Sequence, residues 1–201
     1  MKKIIFTLLL IAASWQFLTT KSPVTLGPGI FVNEVPFQKA IHPHTSFTLD
    51  NFTITKKFEF QIKAKVIAMK NYYFDRQSDI SKTDFGLGWG AMSDESMINQ
   101  FEFSQSNRFM WWNAETWPRS KQEIQNQLTN AHLIPATTAV EHDIDSVRQG
   151  DIIVISGYLV NVNENNSRWY WNSSESRTDT GDGACEIIWV ESLKIVTPLT
   201  L

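Results

Sequence analysis

Charged and nucleophilic residues gather in four places along this chain. Asp75, Arg76, Asp79 and Asp84 crowd the stretch DRQSDISKTD. Ser106 and Arg108 stand on either side of Asn107, and His132 opens His-Leu-Ile-Pro. Ser174, Ser176, Arg177, Asp179 and Asp182 share SSESRTDTGDGA. A hydrolase would draw a nucleophile from Ser106 or Ser176, a general base from His132 and an orienting carboxylate from one of the aspartates. No GxSxG elbow accompanies them. Asp179 and Asp182, with Glu186, have the oxygen density that calcium wants, but not the spacing of a twelve-residue loop. His42 and His44 lack a third ligand nearby. On a helix His142 and Asp145 would share a face that Asp143 does not. No metal and no cofactor are expected.

Arginine beside carboxylates has another use. Its planar fork pairs a carboxylate through two hydrogen bonds, which can order a loop or hold a ligand. In a β-rich fold, loops distant in sequence gather at the sheet ends. The expected binding patch is therefore Arg76, Asp79, Asp84, Trp89, Arg108, His132, Ser176, Arg177 and Asp179, with Arg76, Arg108 and Arg177 near carboxylates and Trp89 or Trp112 alongside. Eight tryptophans favour sheet faces and contact surfaces alike.

The elements that must position these residues are mostly strands. Phe58, Phe60, Ile62, Ala64, Val66 and Ala68 alternate with Lys57, Glu59, Gln61, Lys63 and Lys65, the period of a strand with one wet face, running on to Asn71-Tyr72-Tyr73-Phe74. A long structured loop follows, through Asp94. Phe101 to Trp112 is aromatic and strand-like. Ile152 to Val162 is apolar on both faces, with Gly157 marking a bend or a close approach. A polar turn leads to Arg168–Trp171, and Cys185 to Val196 forms a last strand. Short helices begin near Ser93, at the Ser120–Glu123 capping box and at a second box, Thr138–Glu141. This predicts a mainly β fold: a curved antiparallel sheet or partly open small barrel, OB- or SH3-like, with short peripheral helices.

Residues 1–20 read as an N-terminal membrane anchor or signal peptide. Lys2 and Lys3 precede the apolar run Ile4–Leu18, shorter than the roughly 20 residues of a comfortable span. Retained, this leader makes a single-pass inner-membrane protein with its C-terminal domain periplasmic or extracellular. Cleaved after Ala12-Ala13-Ser14, it leaves a secreted one. Residues 21–46, with Pro23, Gly27, Pro28, Gly29, Pro36 and Pro43, read as a Pro/Gly-rich linker, and 47–201 as the β-rich exported domain. A net charge of −3, with no basic stripe, gives nucleic acid no purchase. The lone Cys185 excludes an intrachain disulfide and any multi-cysteine metal site.

The blocks YYFDRQSDISKTDFGLGWGAMSD, FSQSNRF, HLIPA, GDIIVISGYLV and RTDTGDGACEIIWVESL resemble those of an uncharacterised family of bacterial membrane-anchored or exported proteins. The resemblance spans roughly Phe58 to Leu193. It implies a bacterial envelope location and carries over no catalytic residue. Together these readings predict a membrane-tethered β-domain, more readily a non-enzyme, that binds a partner protein or small ligand. The alternative is an envelope hydrolase or metal-dependent enzyme centred on His132 and the 174–182 loop. The partners expected are the inner membrane, through residues 4–18, and an envelope protein.

Overall fold

A computed structural model of the chain describes residues 21–175 and 185–198. The alternating segment forms the longest strand. β1 (Phe37–Leu49) turns into β2 (Phe52–Asn71), and β3 (Thr83–Gly88) follows the long loop. A short helix, α1 (Glu95–Ile98), leads to the hairpin β4 (Glu102–Ser106) and β5 (Phe109–Asn113). Then come α2 (Lys121–Gln125), β6 (Leu128–Pro135), α3 (Thr138–Ser146), β7 (Ile152–Glu164), β8 (Tyr170–Asn172) and β9 (Glu186–Ile195).

The fold is mainly β with few short helices, as the periodicities imply. Seven strands form one mixed sheet in the order β1-β2-β3-β6-β9-β7-β8, and β2 also pairs with β7. The pairings therefore run round a partly closed ring, β2–β3–β6–β9–β7–β2. Twenty residues let β2 serve three neighbours: Phe52–Gln61 pairs with β1, Phe52–Lys65 with β7, and Lys65–Asn71 with β3. The ring does not close into a barrel. The sheet is mainly antiparallel, as expected, with one parallel pair, β6 and β9. That pairing needs a long crossover, which α3, β7 and β8 supply.

The interior follows from the apolar faces. Ile62, Val66, Ile155 and Leu159 are buried in the main core, and Ile187 and Trp189 in a second cluster with Ile54, Val160 and Val162. Gly157 sits at a bulge between β7 and β9, where a Cβ would fall on the Trp189 carbonyl oxygen. The close approach, rather than solvent-side flexibility, explains the glycine.

The Phe101–Trp112 stretch is a hairpin, not a single strand, because Asn107 and Arg108 both take the left-handed conformation (φ 51° and 68°). Such turns match strand twist. The helix starts shift by one residue for two of three expected caps. Asp94 caps α1 and Thr137 caps α3, whereas the Ser120–Glu123 capping box on α2 forms as expected.

Residues 21–46 do not run free of the sheet. From Phe37 they belong to β1. Before it, the Leu26 and Gly27 amides donate to the two Glu95 carboxylate oxygens, each at 2.7 Å, and Gly29 N donates to Asp94 Oδ1 at 3.0 Å. Phe31 and Val32 amides donate to Ser93 Oγ, and Val32 is fully buried. Glycine and proline spacing conceals this strap, because its acceptors lie more than sixty residues away.

Candidate functional site

Strand pairing places Asp84 of β3 opposite His132 of β6. Both side chains therefore share one face, joined there by Asn130. The left-handed turn aims Arg108 from the tip of the β4–β5 hairpin onto that face. Asn130 fixes the tip by donating to the Arg108 carbonyl oxygen at 2.9 Å, while Gln105 donates to Asn130 Oδ1 at 2.8 Å.

Arg108 is only 6% exposed. Its Nε and one terminal nitrogen donate to the two oxygens of Asp75, each at 2.8 Å. The same terminal nitrogen reaches the Ser81 carbonyl at 2.9 Å, and the other donates to Asp84 Oδ1 at 2.7 Å. The guanidinium carbon lies 4.0 Å from the centre of the Tyr72 ring. His132 Nδ1 is 2.9 Å from Asp84 Oδ1, close enough to pair though not aligned as a hydrogen bond, and its ring packs 4.7 Å from that of Trp171. Asp84 is fully buried, and among the described residues its Oδ2 has no hydrogen-bond partner, nor has the neighbouring Ser81 Oγ.

The electrostatics follow from this packing. Hydrogen bonds from Arg108 hold the Asp75 carboxyl below its ordinary value against the opposing effect of burial. Burial pushes Arg108 down, but its bonds to Asp75 and the charges of both aspartates outweigh this and raise it. Burial, then the Asp84 charge, pushes the Tyr72 hydroxyl up. A buried guanidinium shared by two carboxylates stays charged and rigid.

The structure thus brings together Asp84, Arg108 and His132 from the expected set. It adds Asp75, Tyr72, Asn130 and Trp171. Arg76 does not join them: its half-exposed side chain pairs with Glu164 at 3.4 Å and lies over Trp169. Asp79 is exposed on the 3-10 turn Arg76–Asp79. Trp89 is buried in the main core, and Trp112 packs with Phe101 and Trp117 beneath the hairpin. Neither flanks the cluster. Ser176, Arg177 and Asp179 lie outside the described residues, as do Asp182 and the leader.

The cluster ties down the loop between β2 and β3 at Asp75 and Ser81. That loop forms one wall of a pocket of about 520 Å³, with Tyr73, Asp79, Ile80 and Lys82 from the loop, Leu49 and Asp50 from the β1–β2 turn, and residues from Leu133 to Asp145 on β6 and α3. Among the described residues no group of three or more His, Cys, Asp or Glu could hold a metal ion, and no helix is long and apolar enough to cross a membrane.

No family model, no curated protein and no solved structure matches the chain.

Proposed function

We propose that this chain is a non-enzymatic bacterial envelope protein whose β-domain binds a small ligand or a side chain of a partner protein in the pocket beside the β2–β3 loop. Residues 4–18 tether it to the inner membrane, and the domain lies on the outer side. The observation that supports binding over catalysis is the engagement of Arg108. Four of its five donors go to Asp75, Asp84 and the Ser81 carbonyl, all within the protein. The group fixes a loop rather than meeting a substrate, and the loop in turn walls a pocket of the size small ligands occupy.

The hydrolase alternative has weaker support. A general base must come within hydrogen-bond reach of its substrate. His132 is 1% exposed, wedged between Asp84 and Trp171.

A fragment screen on the isotopically labelled full chain tests the reading. Shifts should cluster at Ile80, Lys82, Ala136 and Thr138, and Arg108→Ala should abolish them. Hits confined to other faces would contradict it. In spheroplasts, a C-terminal tag should be open to added protease; a protected tag would overturn the topology.

A further inference from the structure

The pocket beside the locked loop carries a chemical bias. Its walls include four carboxylates, those of Asp50, Asp79, Glu141 and Asp145, against one lysine, Lys82. Lys82 is already paired with Glu141 at 2.8 Å. Among the described residues no cation pairs with the carboxylates of Asp50, Asp79 or Asp145; the nearby Lys21 ammonium sits on the Asp145 backbone carbonyl instead. Anions are therefore repelled from this space.

The carboxylates come from three separate elements, the β1–β2 turn, the β2–β3 loop and α3, and are not gathered as a compact inorganic cation requires. Between them the walls mix apolar residues, Leu49, Ile80, Leu133, Pro135, Ala136 and Ile144, with the neutral polar Asn71, Thr83, Thr137 and Thr138. The Tyr73 ring, 66% exposed, stands at the edge on the loop that Arg108 fixes. Dispersed negative charge around a partly apolar wall, with an aromatic face beside it, suits a cation that has a hydrocarbon body.

We propose that this pocket takes an alkylammonium group on an aliphatic stem, the chemistry shared by a small diamine and by a lysine side chain. The inference rests on the reading of the pocket as the binding place and names the ligand class for it. The stem lies on the half-buried Leu49 and Pro135, and the ammonium meets Asp79 and Asp145.

The test is a titration of the full chain at low salt with 1,5-diaminopentane, 1,5-pentanediol and glutarate, read by calorimetry and by amide shifts around the pocket. The diamine should bind, the diol and the dicarboxylate should not, and raised salt should weaken binding. Asp79→Asn and Asp145→Asn should each weaken it about threefold to fivefold, as for a partly exposed ion pair, with the thermal melt unchanged because both residues are exposed. A parallel arm with Nα-acetyl-lysine amide assigns the source. Tighter binding than the diamine points to a partner's lysine, and weaker binding to a free amine. If the diol or glutarate binds while the diamine does not, or if both aspartate variants bind the diamine unchanged, the cation assignment falls and the pocket reading stands. If no probe shifts the pocket residues, both fall.

Discussion

Arg108 and Asp75 meet fork to fork, with two parallel hydrogen bonds of 2.8 Å joining the tip of the β4–β5 hairpin to the loop after β2. The other side of the same guanidinium holds Asp84, which is fully buried. Removing the guanidinium would strand a carboxylate whose other oxygen has no partner among the described residues. Breaking a buried pair from one side costs about 3–5 kcal/mol. Arg108→Ala is expected to destabilise the fold by about that amount in urea unfolding. Arg108→Lys should recover less than half of it, since an ammonium cannot reproduce the fork.

A second buried pair secures the N-terminal strap. Lys65 Nζ lies 2.6 Å from Glu95 Oε1, with side chains 3% and 13% exposed. Glu95 also takes the Leu26 and Gly27 amides. Glu95→Gln removes the charge opposite a buried lysine while keeping the shape. Residues 24–32 should then become the first site of limited proteolysis. Combining Lys65→Met with Glu95→Leu should restore melting temperature without restoring protection of the strap, because the apolar pair supplies no acceptor for the two amides.

Acid should loosen both clamps. The Asp75 carboxyl lies below its ordinary 3.8, chiefly through the bonds from Arg108. Burial pushes Glu95 up, but the Leu26 amide and Lys65 outweigh it and leave it below its ordinary 4.5. A carboxylate whose folded value is depressed contributes stability that is present above its unfolded value and lost as pH falls through the folded one. Melting temperature should therefore hold near neutrality and fall below about pH 4.5. The double variant Asp75→Asn, Glu95→Gln should start lower and show a shallower fall over the same range. An equally steep decline in that variant would assign acid sensitivity to other groups.

Gly157 tests the meeting of β7 and β9. A Cβ there falls on the backbone oxygen of Trp189, which cannot move aside as a side chain could. Gly157→Ala is expected to cost at least about 1–3 kcal/mol, the usual range for overpacking. A chemical melt indistinguishable from that of the unmodified chain would mean the two strands are not held so close.

Much of the sheet is legible in the sequence where local periodicity carries it. The alternation from Phe58 to Ala68 and the apolar run from Ile152 to Val162 mark β2 and β7. Phe60, Ile62, Ala64 and Val66 are buried as assigned, Phe58 and Ala68 are half-buried, and Lys65 of the expected wet face is buried against Glu95. Legibility ends where partners are distant. Asp84 reads as a loop residue because Thr-Asp-Phe-Gly-Leu-Gly shows no alternation, yet all six residues of β3 are buried, sandwiched between β2 and β6. The parallel pairing of β6 with β9 leaves no trace in either strand's pattern. The site is half legible. An arginine among carboxylates and His132 are visible as types, whereas the turn that delivers Arg108 depends on two left-handed residues, of which only Asn107 carries a compositional hint. Arg76 and Trp89 were equally plausible by type; register and burial send one to the surface and the other to the core.

Arg108 holds the β2–β3 loop, which walls the pocket proposed to bind the ligand. Amide hydrogen exchange on the full chain, with and without Arg108→Ala, tests it most directly, with 1,5-diaminopentane titrated into both. Protection of residues 75–82 should be lost in the variant, the amides of β7 and β9 should stay protected, and diamine binding should disappear with the loop's order. Unchanged protection of residues 75–82, or diamine binding that survives their loss of protection, would contradict the claim.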